Sequence, residues 1–156
     1  EDRWKYVEGR IVATRGSLAT TVPDFPPSPQ RLVEGLHPIT QAVVEGASRI
    51  AGDLDAKLFV VASKSGLTAI ARSKRRGAVP TVGLSDSEQT LRQMALYWGV
   101  TPLAHVATRD INQLLERVSS WGLAEGRLAS GDRILLVAGI GFGTGGHNMA
   151  LVHEVP

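Results

Sequence analysis

The chain of 156 residues lacks cysteine altogether and is poor in aromatic residues, which make up 5% of the sequence. Without cysteine it can form no disulfide, thiolate metal site or cysteine nucleophile. No apolar run approaches the roughly 20 residues that a membrane-spanning helix requires, and the first residues show no signal-peptide pattern. We therefore expect a cytoplasmic protein without a membrane partner. Because the chain begins at Glu1 rather than Met, we also expect a processed chain or a fragment.

An excess of charge of one sign is also missing, since the formal net charge is only +2. The densest basic run consists of Arg72, Lys74, Arg75 and Arg76. A nucleic-acid-binding protein usually presents a wider basic face with interleaved aromatic residues, so we expect no nucleic-acid partner. Hydrophobic residues at 43% and charged residues at 21% are typical of one globular domain of this length.

The first 37 residues differ in composition from the rest of the chain. Residues 22–29 contain four prolines, which exclude a helix or a central strand there and predict an extended connector. Before them, residues 10–21 contain β-branched side chains around Gly16 and predict a short hairpin. We therefore divide the chain into an N-terminal arm with a proline-rich connector, residues 1–37, and a compact body, residues 38–156.

Helical and strand patterns alternate throughout the body. The first helix begins at Pro38 and ends near Gly52, and its predicted apolar face consists of Ile39, Val43, Ala47 and Ile50. Further helices are predicted at residues 66–74, at 87–98 with Ser87 as its cap, and at 110–125 with Asp110 as its cap. In the 87–98 helix the predicted apolar face consists of Leu91, Ala95 and Trp98. Short apolar runs predict strands at residues 57–62, 79–84, 100–106, 133–138 and 149–155.

This alternation predicts an α/β fold with right-handed crossovers and a mainly parallel sheet. The last connection is the exception, because only about ten residues separate the fourth and fifth strands of the body. A parallel connection needs a dozen or more residues, so the fifth strand should run antiparallel beside the fourth. The expected architecture is three-layer α/β/α around a five-stranded mixed sheet.

A polar loop at residues 63–68 follows the first strand of the body and precedes a helix. Ligands of open α/β sheets bind at the carboxyl ends of strands, and the first-turn amides of a helix favour an anion. These features predict a phosphate site formed by Ser63, Lys64, Ser65, Gly66 and Thr68. An alternative explains the same residues without a ligand: Ser65 caps the helix and Lys64 is solvated. The spacing alone leaves both interpretations open.

A second loop, residues 139–148, contains five glycines in ten residues. It does not match a dinucleotide-binding fingerprint, because no helix follows it. The loop is either a flexible hairpin or a flap over a ligand, and the candidate flap residues are Gly141, Phe142, Gly143, Thr144, Gly145, Gly146 and His147.

No catalytic or metal-binding pattern is recognisable in the sequence. The four histidines do not have the spacing of metal ligands, and they are His37, His105, His147 and His153. The Gly-x-Ser-x-Gly elbow of serine hydrolases is missing. A free-standing enzyme would have to use Lys64 or His147 as an acid or base, and nothing pairs with either residue at a recognisable spacing. We therefore expect no catalytic residues, metal ions or cofactors in this chain.

Four segments, in the right order and spacing, resemble the C-terminal domain of pyruvate kinase over residues 38–156. The 63–68 loop is similar to that family's effector loop, usually Thr-Lys-Ser-Gly-x-Thr/Ser. Residues 73–80 are similar to the family's segment after the effector loop, and residues 88–100 to its helix and turn before the third strand. Residues 131–148 are similar to its final strand and flap.

The resemblance implies the strand order 3-2-1-4-5, counted from the first strand of the body. It also implies that the 63–68 loop binds the phosphate of an effector, a sugar phosphate or AMP, while the 141–147 flap closes over the sugar. In the family this domain contributes to a tetramer interface, so a homo-oligomer is expected. Catalysis, magnesium and potassium belong to a separate barrel that this chain has no room for. A longer parent would be a phosphotransferase acting on phosphoenolpyruvate and ADP, whereas this chain alone should be inactive.

Some residues depart from the family pattern. His147 stands where the family usually has Thr, and Asn112 and Gln113 occupy a region where some members supply an arginine to a second phosphate. The second departure favours a monophosphate over fructose bisphosphate. An alternative function is a ligand-free assembly or interaction module of the same fold.

Overall fold

The computed structural model describes residues 4–7, 10–13, 33–104, 110–139 and 148–156. The chain separates into two compact units, Glu1–Arg31 and Leu32–Pro156. In the first unit, strand β1 (Trp4–Val7) pairs antiparallel with strand β2 (Arg10–Ala13). Arg10–Ala13 therefore pairs with the segment before it. Two residues separate these strands, which is the shortest common hairpin connection. The remainder of the hairpin expected at residues 10–21 lies outside the described residues. The proline-rich connector lies outside the described residues, and the boundary at residue 37 stays a prediction.

The second unit is built on a five-stranded sheet with the order β5-β4-β3-β6-β7. Strands β3 to β6 run parallel, and β7 runs antiparallel beside β6. This arrangement confirms the predicted mixed sheet and its order. The strands are β3 (Leu58–Ala62), β4 (Thr81–Ser85), β5 (Val100–Ala104), β6 (Arg133–Gly139) and β7 (Asn148–Glu154). The helices are α1 (Pro38–Asp53), α2 (Leu67–Lys74), α3 (Glu88–Met94) and α4 (Ile111–Ala124).

Helices cover both faces of the sheet and bury its central strand. Because successive side chains of a strand point to opposite faces, Phe59 and Val61 of β3 belong to a core shared with α1 and α2. Leu58 and Val60 belong to a second core that includes residues of α4. The predicted three-layer α/β/α architecture is thereby confirmed, and β3 is buried on both faces as its continuous apolar run indicated.

The apolar face of α1 differs from the predicted one. Ile39 and Ile50 remain 44% and 41% exposed, whereas the helix buries Thr40, Val44, Ala47 and Ala51. A stripe that starts at Thr40 has the same helical spacing as one that starts at Ile39, so periodicity alone does not separate them. The helix thus packs on the sheet mainly through small side chains and leaves two isoleucines at the surface.

Helix α3 is shorter than the predicted 87–98 helix and ends at Met94. Its buried residues are Thr90 and Met94 rather than the predicted Leu91, Ala95 and Trp98. The chain then turns into β5 through Gly99, whose φ of +69° suits glycine. Both predicted caps are confirmed: Ser87 Oγ accepts from the Thr90 amide at 3.3 Å, and Asp110 Oδ1 accepts from the Asn112 amide at 2.9 Å. None of the helices within the described ranges is long and apolar enough to cross a membrane.

Candidate anion-binding site

A pocket of about 400 Å³ opens at the carboxyl edge of the sheet, where β3 and β6 end side by side. Strands β4 and β5 extend the sheet on one side of β3, and β6 and β7 extend it on the other. Ligands of open α/β sheets bind at such a change of direction in the strand order. The pocket is lined by Ala62, Ser63, Lys64, Ser65, Thr68 and Gly139.

Four of the five predicted phosphate-binding residues line this pocket, and the fifth, Gly66, shapes the loop that carries them. Gly66 is the N-cap of α2 and has a φ of +78°, a left-handed conformation that favours glycine. Its amide donates to Ser63 Oγ at 3.0 Å, which closes the turn between strand and helix. The loop is therefore held by its own backbone and by Ser63.

The capping interpretation of Ser65 receives limited support. Ser65 Oγ accepts from the Leu67 amide at 3.4 Å, close to the longest distance of a useful hydrogen bond. The N-cap residue of α2 is Gly66, which has no side chain to offer. Ser65 is exposed, so its hydroxyl is accessible to a ligand in the pocket.

Several donors at the pocket have no partner in the described part of the chain. They include the amides of Ser65 and of Thr68, which lies in the first turn of α2. The Lys64 side chain is exposed and forms no ion pair with any described residue. Amides at a helix N-terminus attract an anion, with about 0.3–1 kcal/mol from the helix dipole. The arrangement can therefore bind an anion with amide, hydroxyl and ammonium donors.

Helix α3 packs against the same loop from the side of β4. Thr90 Oγ1 donates to the Lys64 carbonyl at 2.8 Å. A Cβ on Gly66 would lie 3.3 Å from Thr90 Cγ2 and 3.5 Å from the Tyr97 hydroxyl, so only glycine fits comfortably here. Ala62 and Thr90 were not predicted to belong to the site, and Gly139 was predicted only as the first residue of the 139–148 loop. The pairing of Ala62 with Ala138 places Gly139 beside the loop, and no sequence pattern reveals that contact.

The two histidines that the structure describes, His37 and His153, do not line this pocket. All seven candidate flap residues, 141–147, lie outside the described residues, as does His105. His37 Nδ1 accepts from the Ile39 amide at 3.2 Å and so caps α1, while His153 lies on β7. Among the residues whose placement is described, no group of three histidine or acidic side chains is arranged to hold a metal ion.

The basic run at the other end of α2 is engaged in packing. The Arg72 guanidinium lies 4.5 Å from the centre of the Phe59 ring and donates to the Val79 carbonyl at 3.0 Å. Burial, together with the neighbouring Arg75, lowers the pKa of Arg72 to about 10, so it remains charged at neutral pH. Arg75 pairs with Glu45 of α1 at 3.2 Å. These contacts fasten α2 to the sheet and to α1.

The chain is similar to known proteins of one family. A family described as the pyruvate kinase alpha/beta domain matches residues 41–153. Pyruvate kinase of Staphylococcus aureus strain USA300 is 32% identical over 118 residues, which cover 75% of this chain and 20% of that protein. The enzyme of the bovine strain RF122 / ET3-1 gives the same identity and coverage. The chain thus spans about a fifth of the length of these relatives.

A solved structure has the same fold. Cryptosporidium parvum pyruvate kinase, in complex with ADP, superposes with a TM-score of 0.73 and 21% sequence identity. The match covers 80% of this chain and 25% of that one. At 21% identity, this likeness shows that the two proteins share a fold and carries no statement about function.

Proposed function

We propose a regulatory role for this chain, which belongs to the pyruvate kinase alpha/beta domain family: it binds a phosphorylated effector, a sugar monophosphate or AMP, at residues 63–68. The observation that carries this proposal is the convergence of unpartnered amides, hydroxyls and the Lys64 ammonium on one pocket. Phosphate has the charge and the number of acceptor oxygens to use all three kinds of donor. A neutral ligand would leave the Lys64 charge uncompensated.

A monophosphate suits the described residues better than a bisphosphate. The first turn of α4 presents Asn112 and Gln113, both exposed, and neither carries a charge for a second phosphate. A second phosphate usually needs its own cation, most often an arginine because of its bidentate geometry. The candidate flap, 141–147, would close over the sugar.

We propose pyruvate kinase activity only for a longer parent protein that would contain this chain. In such a parent, transfer of phosphate between phosphoenolpyruvate and ADP would take place on a catalytic barrel, with its magnesium and potassium ions. The 156-residue chain would bind the effector but would have no kinase activity and no cofactor of its own. A glycolytic role of this kind would place it in the cytoplasm.

Calorimetric titration of the chain tests the effector proposal. Ribose 5-phosphate, glucose 6-phosphate, fructose bisphosphate and AMP form the panel, and we expect at least one monophosphate to bind. Ser65→Asp should abolish binding, because its carboxylate would repel the phosphate. Ser130→Asp is the matched control, since Ser130 is exposed just before β6, at the opposite edge of the sheet. Absence of binding across the whole panel would refute the proposal.

A second proposal is that the domain serves assembly, and an apolar surface on α1 and β7 favours it. Ile39 and Ile50 of α1 and Val152 of β7 are exposed, and α1 packs against β7. Within the described residues, β7 pairs on one side only, and an unpaired strand edge is a template for a second strand. A homo-oligomer would cover both features.

Light scattering tests the assembly proposal. We expect an oligomer whose mass falls when Val152→Lys places a charge on this surface. A monomer at every protein concentration would contradict it. An oligomer that binds none of the phosphorylated compounds would favour the ligand-free assembly module over the effector domain.

A further inference from the structure

We infer that Thr90 is a positioning residue for the 63–68 loop: its hydroxyl orients the Lys64–Ser65 peptide so that the Ser65 amide faces the pocket and can donate to phosphate. This inference rests on the proposed function, because it assigns the loop a ligand. Thr90 itself does not line the pocket. It acts from α3, an element to which sequence reasoning assigned no part in the site.

Thr90 is held through both its backbone and its side chain. It lies in the first turn of α3 and is only 6% exposed. Its amide donates to Ser87 Oγ at 3.3 Å, and its hydroxyl donates to the Lys64 carbonyl at 2.8 Å. The capped end of α3 is therefore tied directly to the backbone of the loop.

Peptide geometry converts this bond into an orientation for Ser65. The peptide unit is planar and trans, so its carbonyl and its N–H point in opposite directions. With the Lys64 carbonyl directed at Thr90, the Ser65 N–H must point away from α3. The Ser65 amide has no partner in the described residues, which leaves it available to a ligand.

The order of the strands determines what lies in that opposite direction. Helix α3 follows β4, which is the neighbour of β3 on one side. Gly139, at the end of β6, is on the other side of β3 and lines the pocket. An N–H that points away from α3 therefore points towards the β6 side, where the pocket opens.

The loop needs such a restraint because the Lys64–Ser65 peptide lies between two exposed residues, and rotation about the backbone bonds on either side of it would reorient it. Two contacts with Thr90 act against this change. The hydroxyl holds the Lys64 carbonyl, and the methyl group lies against Gly66, 3.3 Å from the position of a Cβ there.

The experiment is an NMR titration of the ¹⁵N-labelled chain with inorganic phosphate and with glucose 6-phosphate. Thr90→Val replaces the hydroxyl with a methyl group, and we expect about tenfold weaker binding, the usual effect of one lost hydrogen bond. Thr90→Ser keeps the hydroxyl and should bind as the wild type does. Should Thr90→Val fail to fold, Thr90→Ala removes the same hydroxyl and carries the same expectation.

Thr81→Val is the matched control. Thr81 is equally buried, at the start of β4 and so at the opposite edge of the sheet. This variant should bind phosphate as the wild type does. Equal weakening by Thr81→Val and Thr90→Val would overturn the inference, since both substitutions would then act through general stability.

A second readout uses the ligand-free proteins. We expect the Ser65 amide resonance to shift and its hydrogen exchange to quicken in Thr90→Val but not in Thr81→Val. An unshifted Ser65 resonance together with unchanged phosphate binding would overturn the inference. A wild-type chain that binds neither of these phosphates nor any compound of the calorimetric panel would refute the proposed function alone, because the Ser65 resonance would still report whether Thr90 orients the loop.

Discussion

The cations near the two ends of α2 differ in burial and in their contacts. Before its N-terminus, Lys64 is exposed and has no ion pair among the described residues. Near its C-terminus, Arg72 is 3% exposed, lies over the Phe59 ring and donates to the Val79 carbonyl. The difference shows that charge alone does not mark a ligand site. A cation that is already engaged holds the fold together, while one without a partner is available to bind.

The two ends also differ in what surrounds the cation. At the amino edge of the sheet, the guanidinium of Arg72 leaves no space for a Cβ on Gly77. At the carboxyl edge, Lys64 faces a pocket of about 400 Å³ with hydroxyls and unpartnered amides. The packing contacts and the proposed binding site thus lie at opposite ends of one short helix. Substitutions should therefore separate stability from affinity.

The largest expected effect on stability comes from Arg72→Ala. Removal of this side chain empties the space beside Phe59 and leaves the Val79 carbonyl without its donor. We expect the free energy of unfolding to fall by about 2–4 kcal/mol, measured by urea denaturation. Phosphate affinity should change little in the fraction that remains folded.

Arg72→Met is the control for this substitution. Methionine keeps most of the volume and removes the charge, and replacing a buried charge by an apolar side chain is often nearly neutral. We expect a loss of about 1 kcal/mol or less. If Arg72→Ala were as stable as the wild type, the structural role of this arginine would be wrong.

An intermediate effect is expected from Gly66→Ala. Alanine at a φ of +78° costs about 1–2 kcal/mol, and its Cβ would press against the Thr90 methyl group. Thermal unfolding should show this loss, and phosphate binding should weaken because the loop must shift. Gly46→Ala is the control, since Gly46 lies within α1 with open space around it and should gain about 0.5–1 kcal/mol. Equal thermal stability of Gly66→Ala and Gly46→Ala would contradict the requirement for glycine at position 66.

The smallest effect on stability is expected from Lys64→Ala. An exposed side chain without a partner contributes less than about 0.5 kcal/mol to the free energy of unfolding. Phosphate affinity should nevertheless fall about tenfold or more, because a charge-assisted contact is lost. Lys57→Ala tests the same change at the other end of β3. Calorimetry should show unaltered phosphate binding for Lys57→Ala. A Lys64→Ala protein that binds phosphate normally would contradict the proposed phosphate site at residues 63–68.

The sequence predicted the sheet closely, because apolar runs and connection lengths are properties of continuous stretches of the chain. Buried apolar runs located the strands of the sheet, and connection length correctly predicted that β7 runs antiparallel. The phase of α1 was not predictable, because two stripes of similar spacing start at Ile39 and at Thr40. The end of α3 at Met94 was also missed, because the segment after it continues an apolar helical spacing.

The candidate site was predictable in part for a related reason. Residues 63–68 are adjacent in the sequence, so their polar character after a buried strand is visible in one window. The contact of Thr90 with Lys64 joins residues 26 positions apart, and it depends on how α3 packs. Gly139 joins the pocket through the pairing of β3 with β6. Such contacts arise from tertiary structure and leave no local pattern.

The pairing of β3 with β6 also has a consequence for the order in which the domain forms during synthesis. As the chain emerges from its N-terminus, β3 can pair with β4 early, because only α2 lies between them. Its second neighbour, β6, emerges after β4, β5 and two further helices. The pocket needs Gly139 of β6, so a nascent chain that already carries the whole 63–68 loop has only one wall of the site. Ligand binding would stabilise only the finished domain, since a ligand favours the state that holds its site.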